Sequence, residues 1–184
     1  MKVSVYLGSS PWSGEEYIAL AAVVGKALAE NGHTIVYGGA KVGTMKSLAD
    51  SALAAGGKVV GVFPEGFKGT RDVWEKGFEV FYSGLTDMVI TKDFDERKQV
   101  MQDMGDCALV LPGSFGTMDE MFTYACNRSI GKHSKQIYVL NHKGFYDPLK
   151  QLFLNMESAH MMKDMCRDMV VFCDTVSDVL GHLR

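Results

Sequence analysis

The sequence predicts a doubly wound α/β fold, a parallel sheet with helices on both faces. Three observations carry this expectation. Short β-branched runs alternate with longer stretches of helical pattern along the 184 residues. Several of the runs are apolar at consecutive rather than alternate positions, as strands buried on both faces are. Strand, helix and strand repeated this often imply parallel pairing with right-handed crossovers.

Taken in order, strands are expected at Val3–Leu7, Thr34–Tyr37, Lys58–Phe63, Asp87–Thr91, Cys107–Leu111, Gln136–Asn141 and Met169–Cys173. The helix after the first strand starts at Ser13-Gly14-Glu15-Glu16, which reads as a capping box. It ends at Asn31-Gly32, where glycine supplies a left-handed cap. Gly56-Gly57 closes the helix that follows Gly43, and Asp95-Glu96-Arg97-Lys98 precedes a helix over Gln99–Met104. Asp147-Pro148 places a cap residue before a proline at the first helical position. Pro64–Gly84 is the least regular region, expected as a long loop near the site. With no repeat, low-complexity tract or linker, residues 1–184 are expected to form a single Rossmann-like domain.

Composition narrows the function classes. Apolar residues make up 47% and charged residues 22%, as in a globular chain of ordinary solubility. A net charge of −3 argues against a protein that coats nucleic acid or an anionic membrane. No apolar run approaches the roughly 18 residues of a membrane span, and the first residues enter a strand without a signal-peptide pattern. Cys107, Cys126, Cys166 and Cys173 form no C-x-x-C pair and read as buried thiols of a cytoplasmic protein. The five histidines lack metal-ligand spacing, and no G-x-S-x-G elbow is present.

Three turns fall at strand carboxyl ends, where ligands of such folds bind. They are Gly8-Ser9-Ser10, the run Gly38-Gly39-Ala40-Lys41-Val42-Gly43, and Pro112–Thr117. The second is neither a dinucleotide fingerprint, since it follows the second strand, nor a Walker sequence, since no G-K-[ST] follows. The third is the most informative. An apolar strand runs into Pro112-Gly113-Ser114-Phe115-Gly116-Thr117, which opens a helix with Asp119 and Glu120 expected in its first turn. Free amides and a positive helix end suit a phosphate. The carboxylates would repel that phosphate, so they need another task, as in chemistry on a phosphorylated sugar. The competing reading is structural, because Thr117-x-x-Glu120 is itself a capping-box spacing, and spacing alone leaves both open. Asp95–Lys98 reads either as a solvated helix start or, through Arg97 and Lys98 opposing the helix dipole, as cations kept for a bound anion.

Together, D-E-R-K-x-x-M at Asp95–Met101 and P-G-x-x-G-T-x-x-E at Pro112–Glu120 resemble the LOG ("Lonely guy") family of cytokinin riboside 5′-monophosphate phosphoribohydrolases, whose bacterial members often carry the older label lysine decarboxylase. The likeness extends through VYLGSS at Val5–Ser10, YGGAKVGTMKSLAD at Tyr37–Asp50 and GFYDPL at Gly144–Leu149. It implies cofactor-free hydrolysis of the N-glycosidic bond of a nucleoside 5′-monophosphate, AMP-like or a cytokinin riboside monophosphate, by a cytoplasmic homodimer. It places the catalytic roles on Arg97 and Glu120. It places substrate binding on Gly8, Ser9, Gly38, Gly39, Gly43, Lys98, Gly113, Ser114, Phe115, Gly116, Thr117 and Asp119. The chain departs from the family pattern at Ala40, at Lys46, at Phe94-Asp95 and at Asn127–Gly131. It departs also at Ser114, where a left-handed backbone would cost a serine about 1–2 kcal/mol. The rival reading is a non-catalytic carrier or sensor of a nucleotide or the molybdenum cofactor, built on the same fold. A pyridoxal-dependent decarboxylase has no identifiable Schiff-base lysine here.

Overall fold

The computed structural model describes residues 1–68, 79–163 and 166–183. Seven strands form one sheet: β1 (Lys2–Tyr6), β2 (Thr34–Tyr37), β3 (Lys58–Pro64), β4 (Asp87–Thr91), β5 (Cys107–Val110), β6 (Ile137–Leu140) and β7 (Val170–Cys173). Their order across the sheet is β4-β3-β2-β1-β5-β6-β7, and every pairing between them is parallel. All seven expected strands are present, their ends differing from the sequence reading by one residue where they differ at all. The order reverses between β1 and β5, which is the topological switch point of a doubly wound sheet.

Among the described residues six α-helices flank the sheet: α1 (Glu15–Glu30), α2 (Gly43–Ala54), α3 (Phe94–Met104), α4 (Phe115–Ser129), α5 (Asp147–Ser158) and α6 (Val176–His182). Two apolar clusters show how they are layered. Val3, Val5, Leu7 and Ile35 pack with Leu20, Val24 and Leu28 of α1, Met45 and Leu48 of α2, and Val179 of α6. On the other face Tyr6, Val36, Val62 and Val110 pack with Met101 of α3, Met121 and Tyr124 of α4, and Phe153 of α5. Alternation along each strand thus feeds both cores. The buried Ser4 of β1 is polar but satisfied, its hydroxyl donating to the Met101 carbonyl of α3 at 2.6 Å.

Helix starts are where sequence reading and structure part. No side chain caps α1: Gly14 holds the cap position, the Ser13 hydroxyl donates to the Ser10 carbonyl, and Glu16 pairs with His142 and Lys143. The expected end at Asn31-Gly32 is present, with Gly32 left-handed at φ 74°. α3 starts five residues earlier than Gln99, so the charged cluster lies inside it. Asp93 caps it by accepting from the Glu96 amide at 2.8 Å. In α4 the cap position falls on Ser114, which removes Thr117 and Glu120 from a capping box and puts Asp119 and Glu120 in the second turn. Asp147 is the first residue of α5 rather than its cap, and accepts from the Asn141 side chain at 2.9 Å. Of the long loop expected over Pro64–Gly84, residues 69–78 lie outside the described residues; Glu79 and Val80 return to pair with the turn after β2 through Lys41. Cys107 and Cys173 are buried as expected, whereas Cys126 is exposed and Cys166 half-buried.

Candidate active site

At the carboxyl end of the sheet, over β1, β2, β3 and β5, lies a cleft of about 210 Å³. At its centre Arg97, in the first turns of α3, meets Glu120 of α4 with Nη1 to Oε1 at 2.7 Å. Both side chains are only 8% exposed. Three features of the chain hold the guanidinium there. The Asp93 cap sets the start of α3. Arg97 Nε donates to the Val62 carbonyl of β3 at 2.9 Å. Gly38, directly after β2, leaves room for Nη2: a Cβ on residue 38 would stand 1.9 Å from it.

Glu120 is fixed less by its helix than by this partner. Burial pushes its carboxyl above the usual carboxylate range, and the Arg97 charge and hydrogen bond pull the other way. The phenol of Tyr6, beneath it on β1, is likewise pushed well up by burial and by the Glu120 charge. A second, more open pair lies at the rim. Lys98 Nζ reaches Asp119 at 3.0 Å and Asp95 at 3.1 Å, and the Asp119 hydrogen bond holds the Lys98 ammonium pKa up.

The remaining polar wall comes from two loops at the switch point. Gly8 and Ser9 follow β1; Ser114, Gly116 and Thr117 open α4. The two are stitched together by the Gly8 amide, which donates to the Pro112 carbonyl, and the Gly8 carbonyl in turn accepts from the Thr44 hydroxyl of α2. Gly113 is required by its neighbour: a Cβ there would stand 2.1 Å from the Thr117 hydroxyl oxygen. Ser114 is extended (φ −112°, ψ −151°), so the backbone cost that a left-handed residue would impose does not arise. Gly116 has open space where a side chain would project. Such amides at a helix start, beside an unobstructed glycine, form a seat for an anion.

The structure therefore brings Gly8, Ser9, Gly38, Arg97, Lys98, Ser114, Gly116, Thr117, Asp119 and Glu120 to one cleft. It places four others apart from its lining. Gly113 lines an adjoining depression that shares Gly8, Ser9 and Ser114. Gly39 is left-handed at φ 72° and packs on Phe63 and Met88. Gly43 starts α2 against the Ser10 carbonyl, and Phe115 is 93% exposed. Lys46 pairs with Asp50 along α2, away from the cleft. The sequence reading missed the apolar wall formed by Leu7, Met45, Phe63, Pro64, Phe67 and Phe94. Its signal was present in Phe63-Pro64 at a strand carboxyl end and in Phe94 where the family pattern has methionine.

A Rossmann-like sheet with a buried arginine–glutamate pair beside a helix start rich in free amides gives a cleft suited to an anionic ligand. The family model described as "Possible lysine decarboxylase" matches residues 45–183. The cytokinin riboside 5′-monophosphate phosphoribohydrolase of Rhodococcoides fascians is 34% identical over 99% of this chain and 88% of its own length. The protein of that name from Mycobacterium tuberculosis is 33% identical over 97% of this chain and 90% of its own. The chain belongs to this family. The molybdenum cofactor binding protein of Rippkaea orientalis (TM-score 0.70, 17% identity, 99% of this chain and 94% of that one) shares the fold. So does the molybdenum cofactor carrier protein of Chlamydomonas reinhardtii (TM-score 0.71, 16% identity, 99% and 94%).

Proposed function

We propose that the protein hydrolyses the N-glycosidic bond of a nucleoside 5′-monophosphate, AMP-like or a cytokinin riboside monophosphate, to the free base and ribose 5-phosphate. The observation that carries this is the buried contact of Arg97 with Glu120 at 2.7 Å inside the cleft, in a family whose relatives are phosphoribohydrolases. A carrier has no need of such a pair, and the carrier structures share only the fold with this chain.

The 5′-phosphate rests on the amides of Ser114–Thr117 with Ser9 opposite, which sets C1′ of the ribose over the Arg97–Glu120 pair. As the bond to the base lengthens, positive charge grows on C1′ and the ring oxygen. The Glu120 carboxylate, held in a site of low dielectric, stabilises that charge, holds the ribose hydroxyls and orients water for attack at C1′. The oxygen of water bonds to C1′, the bonding pair leaves with the base nitrogen, and a proton from water passes to the base. Nη1 and Nε of Arg97 are engaged by Glu120 and Val62, and among the described residues no hydrogen bond engages Nη2, which is left to the substrate. Binding energy from the phosphate is used to align the opposite end of the ribose.

The homodimer implied by the family belongs to the same reading. Phe115 of α4 and Leu152 and Leu154 of α5 are exposed, on the helix layer that carries Glu120, and no residue of α5 is fully buried. No described helix is long and apolar enough to cross a membrane, and the four cysteines are unpaired, in keeping with the cytoplasm. The test of function is incubation with a panel of nucleoside 5′-monophosphates and chromatography for free base. Wild type releases base, Glu120→Gln and Arg97→Ala release little, and nucleosides without phosphate react far more slowly. Binding without release, indifferent to both substitutions, would leave a carrier.

A further inference from the structure

Beside the cleft of about 210 Å³ lies the adjoining depression, of about 430 Å³. Ligand sites run from roughly 300 to 1,000 Å³, so the cleft is small for its class and the depression is not. Gly8, Ser9 and Ser114 line both. Ser9 and Ser114 belong to the anion seat. A phosphate held there has the Arg97–Glu120 pair on one side and the depression on the other.

Gly8 keeps the two continuous. A Cβ on it would meet the Gly113 Cα at 3.7 Å, the Pro112 carbonyl oxygen at 3.8 Å and the Thr44 hydroxyl oxygen at 3.9 Å, all ordinary contacts. Its backbone is not left-handed either. The protein's own packing therefore does not call for glycine at this passage, whereas a ligand crossing it does. Beyond the passage, no described residue lining the depression carries a charge, so carboxylates that would repel a second phosphate are absent there. The Ser10 hydroxyl accepts from the Trp12 amide at 3.2 Å and keeps its own hydrogen for a ligand oxygen. The start of α1, which no side chain caps, lies on the border at Gly14. The outer wall is aromatic. Tyr17 and Phe145 meet edge to face at 5.7 Å, and Trp12 and Phe145 are 51% and 39% exposed, which leaves ring surface for another aromatic group.

We infer that this depression seats a second nucleoside, joined through a pyrophosphate to the nucleotide in the cleft, so that dinucleoside diphosphates are substrates as well as monophosphates. The inference rests on the reading of the cleft as a nucleotide site. The first phosphate takes the amides of Ser114–Thr117, the second crosses Gly8 toward Ser10, and the far base stacks on Trp12 and Phe145. Every base has a π-face, so the far nucleoside is chosen by its ring and not by its edge. Chemistry at the near end is unaltered. The oxygen of water bonds to C1′, the bonding pair leaves with the near base nitrogen, and a proton from water passes to that base. From diadenosine diphosphate the products are adenine and ADP-ribose.

Binding is read by calorimetry on Glu120→Gln, which keeps the shape of the side chain and releases little base. The ligands are AMP, diadenosine diphosphate and the β-methyl ester of ADP, which carries the same pyrophosphate and charge without the second ring. The dinucleotide is expected to bind at least tenfold tighter than the methyl ester. Trp12→Ala and Phe145→Ala, each added to that background, weaken the dinucleotide about 5- to 30-fold and leave AMP and the methyl ester within twofold. Trp12→Phe, which keeps a ring, recovers most of the loss. Both residues are well exposed, so their variants leave the core closed, and unchanged AMP binding checks the fold. Equal affinity for the dinucleotide and the methyl ester, or a loss shared by AMP, would overturn the inference. So would a wild type that releases adenine from AMP but not from the dinucleotide, and the hydrolase would then stand without the second subsite. Ring-dependent binding of the dinucleotide with no base released from either ligand refutes the hydrolase and leaves the subsite standing.

Discussion

Arg97 and Glu120 stand 23 residues apart in sequence and in hydrogen-bond contact in space. Their burial makes them informative, because a buried ion pair rarely repays its desolvation. Removing one partner strands a charge, at a cost of about 3–5 kcal/mol, whereas apolar groups of like volume in both places are often neutral or stabilising. Urea unfolding of Arg97→Met, Glu120→Leu and the double variant tests this. The double variant is expected to be more stable than either single one, and inactive, which would show that the pair is kept for chemistry. The raised Glu120 carboxyl sets a pH limit as well. If the carboxylate form is required, kcat/KM falls on acidification with a midpoint above the ordinary value of about 4.3. A midpoint at or below it would deny Glu120 that role. Gly38 is the companion case. A methyl group at position 38 must push aside a guanidinium that is buried and held by Glu120 and Val62. Gly38→Ala should therefore lower the urea midpoint and lower kcat/KM about 10- to 100-fold. It should have no further effect when Arg97 is already alanine.

Elements bring these residues together through where helices begin. Thr117-x-x-Glu120 has the spacing of a capping box, but α4 starts at Phe115 and carries both residues inward, so the carboxylate is free to meet Arg97. α3 starts at Phe94, so Arg97 sits one turn in and faces the sheet. The device that sets this start is local. Asp93 accepts from the Glu96 amide, and the Glu96 carboxylate accepts from the Lys92 amide at 2.6 Å. Asp93→Ala is expected to cost about 1 kcal/mol, as loss of such a cap does. It should also lower kcat/KM more than that loss of stability explains, since the same turn aims the arginine. Thermal unfolding and a substrate titration on one preparation check both.

Across the whole molecule, stability has a pH dependence set away from the cleft. Burial holds the His33 and His133 pKa values below the ordinary histidine range. In His133 the ring is fixed as the neutral form: Nδ1 accepts from the Lys135 amide at 3.2 Å, so Nε2 donates to the Tyr124 carbonyl at 3.1 Å. Between the ordinary value and the depressed one the unfolded chain binds more protons than the folded one. Stability is therefore full at neutral pH and above, and falls as pH drops through the histidine range. Urea midpoints measured from pH 7.5 to 5.5 should fall, and the His33→Gln/His133→Gln variant should fall less. Parallel curves would contradict the assignment.

The sequence by itself determined the order and kind of the elements. Strands covered on both faces carry unbroken apolar runs, as Cys107-Ala-Leu-Val110 and Ile137-Tyr-Val-Leu140 do, and turn glycines punctuate them. It determined, too, which two motifs to bring together. Helix starts were less legible, because a cap depends on which of several adjacent polar residues wins the free amides, and at α1 and α4 no side chain wins them. Only the tertiary structure decided what faced what: that Arg97 crosses the gap left by Gly38, that Lys46 turns to Asp50, and that Phe63, Phe67 and Phe94 share one wall. Those contacts join residues from different strands and helices. They depend on the strand order and on the few ångströms by which neighbouring loops approach, which no local pattern encodes.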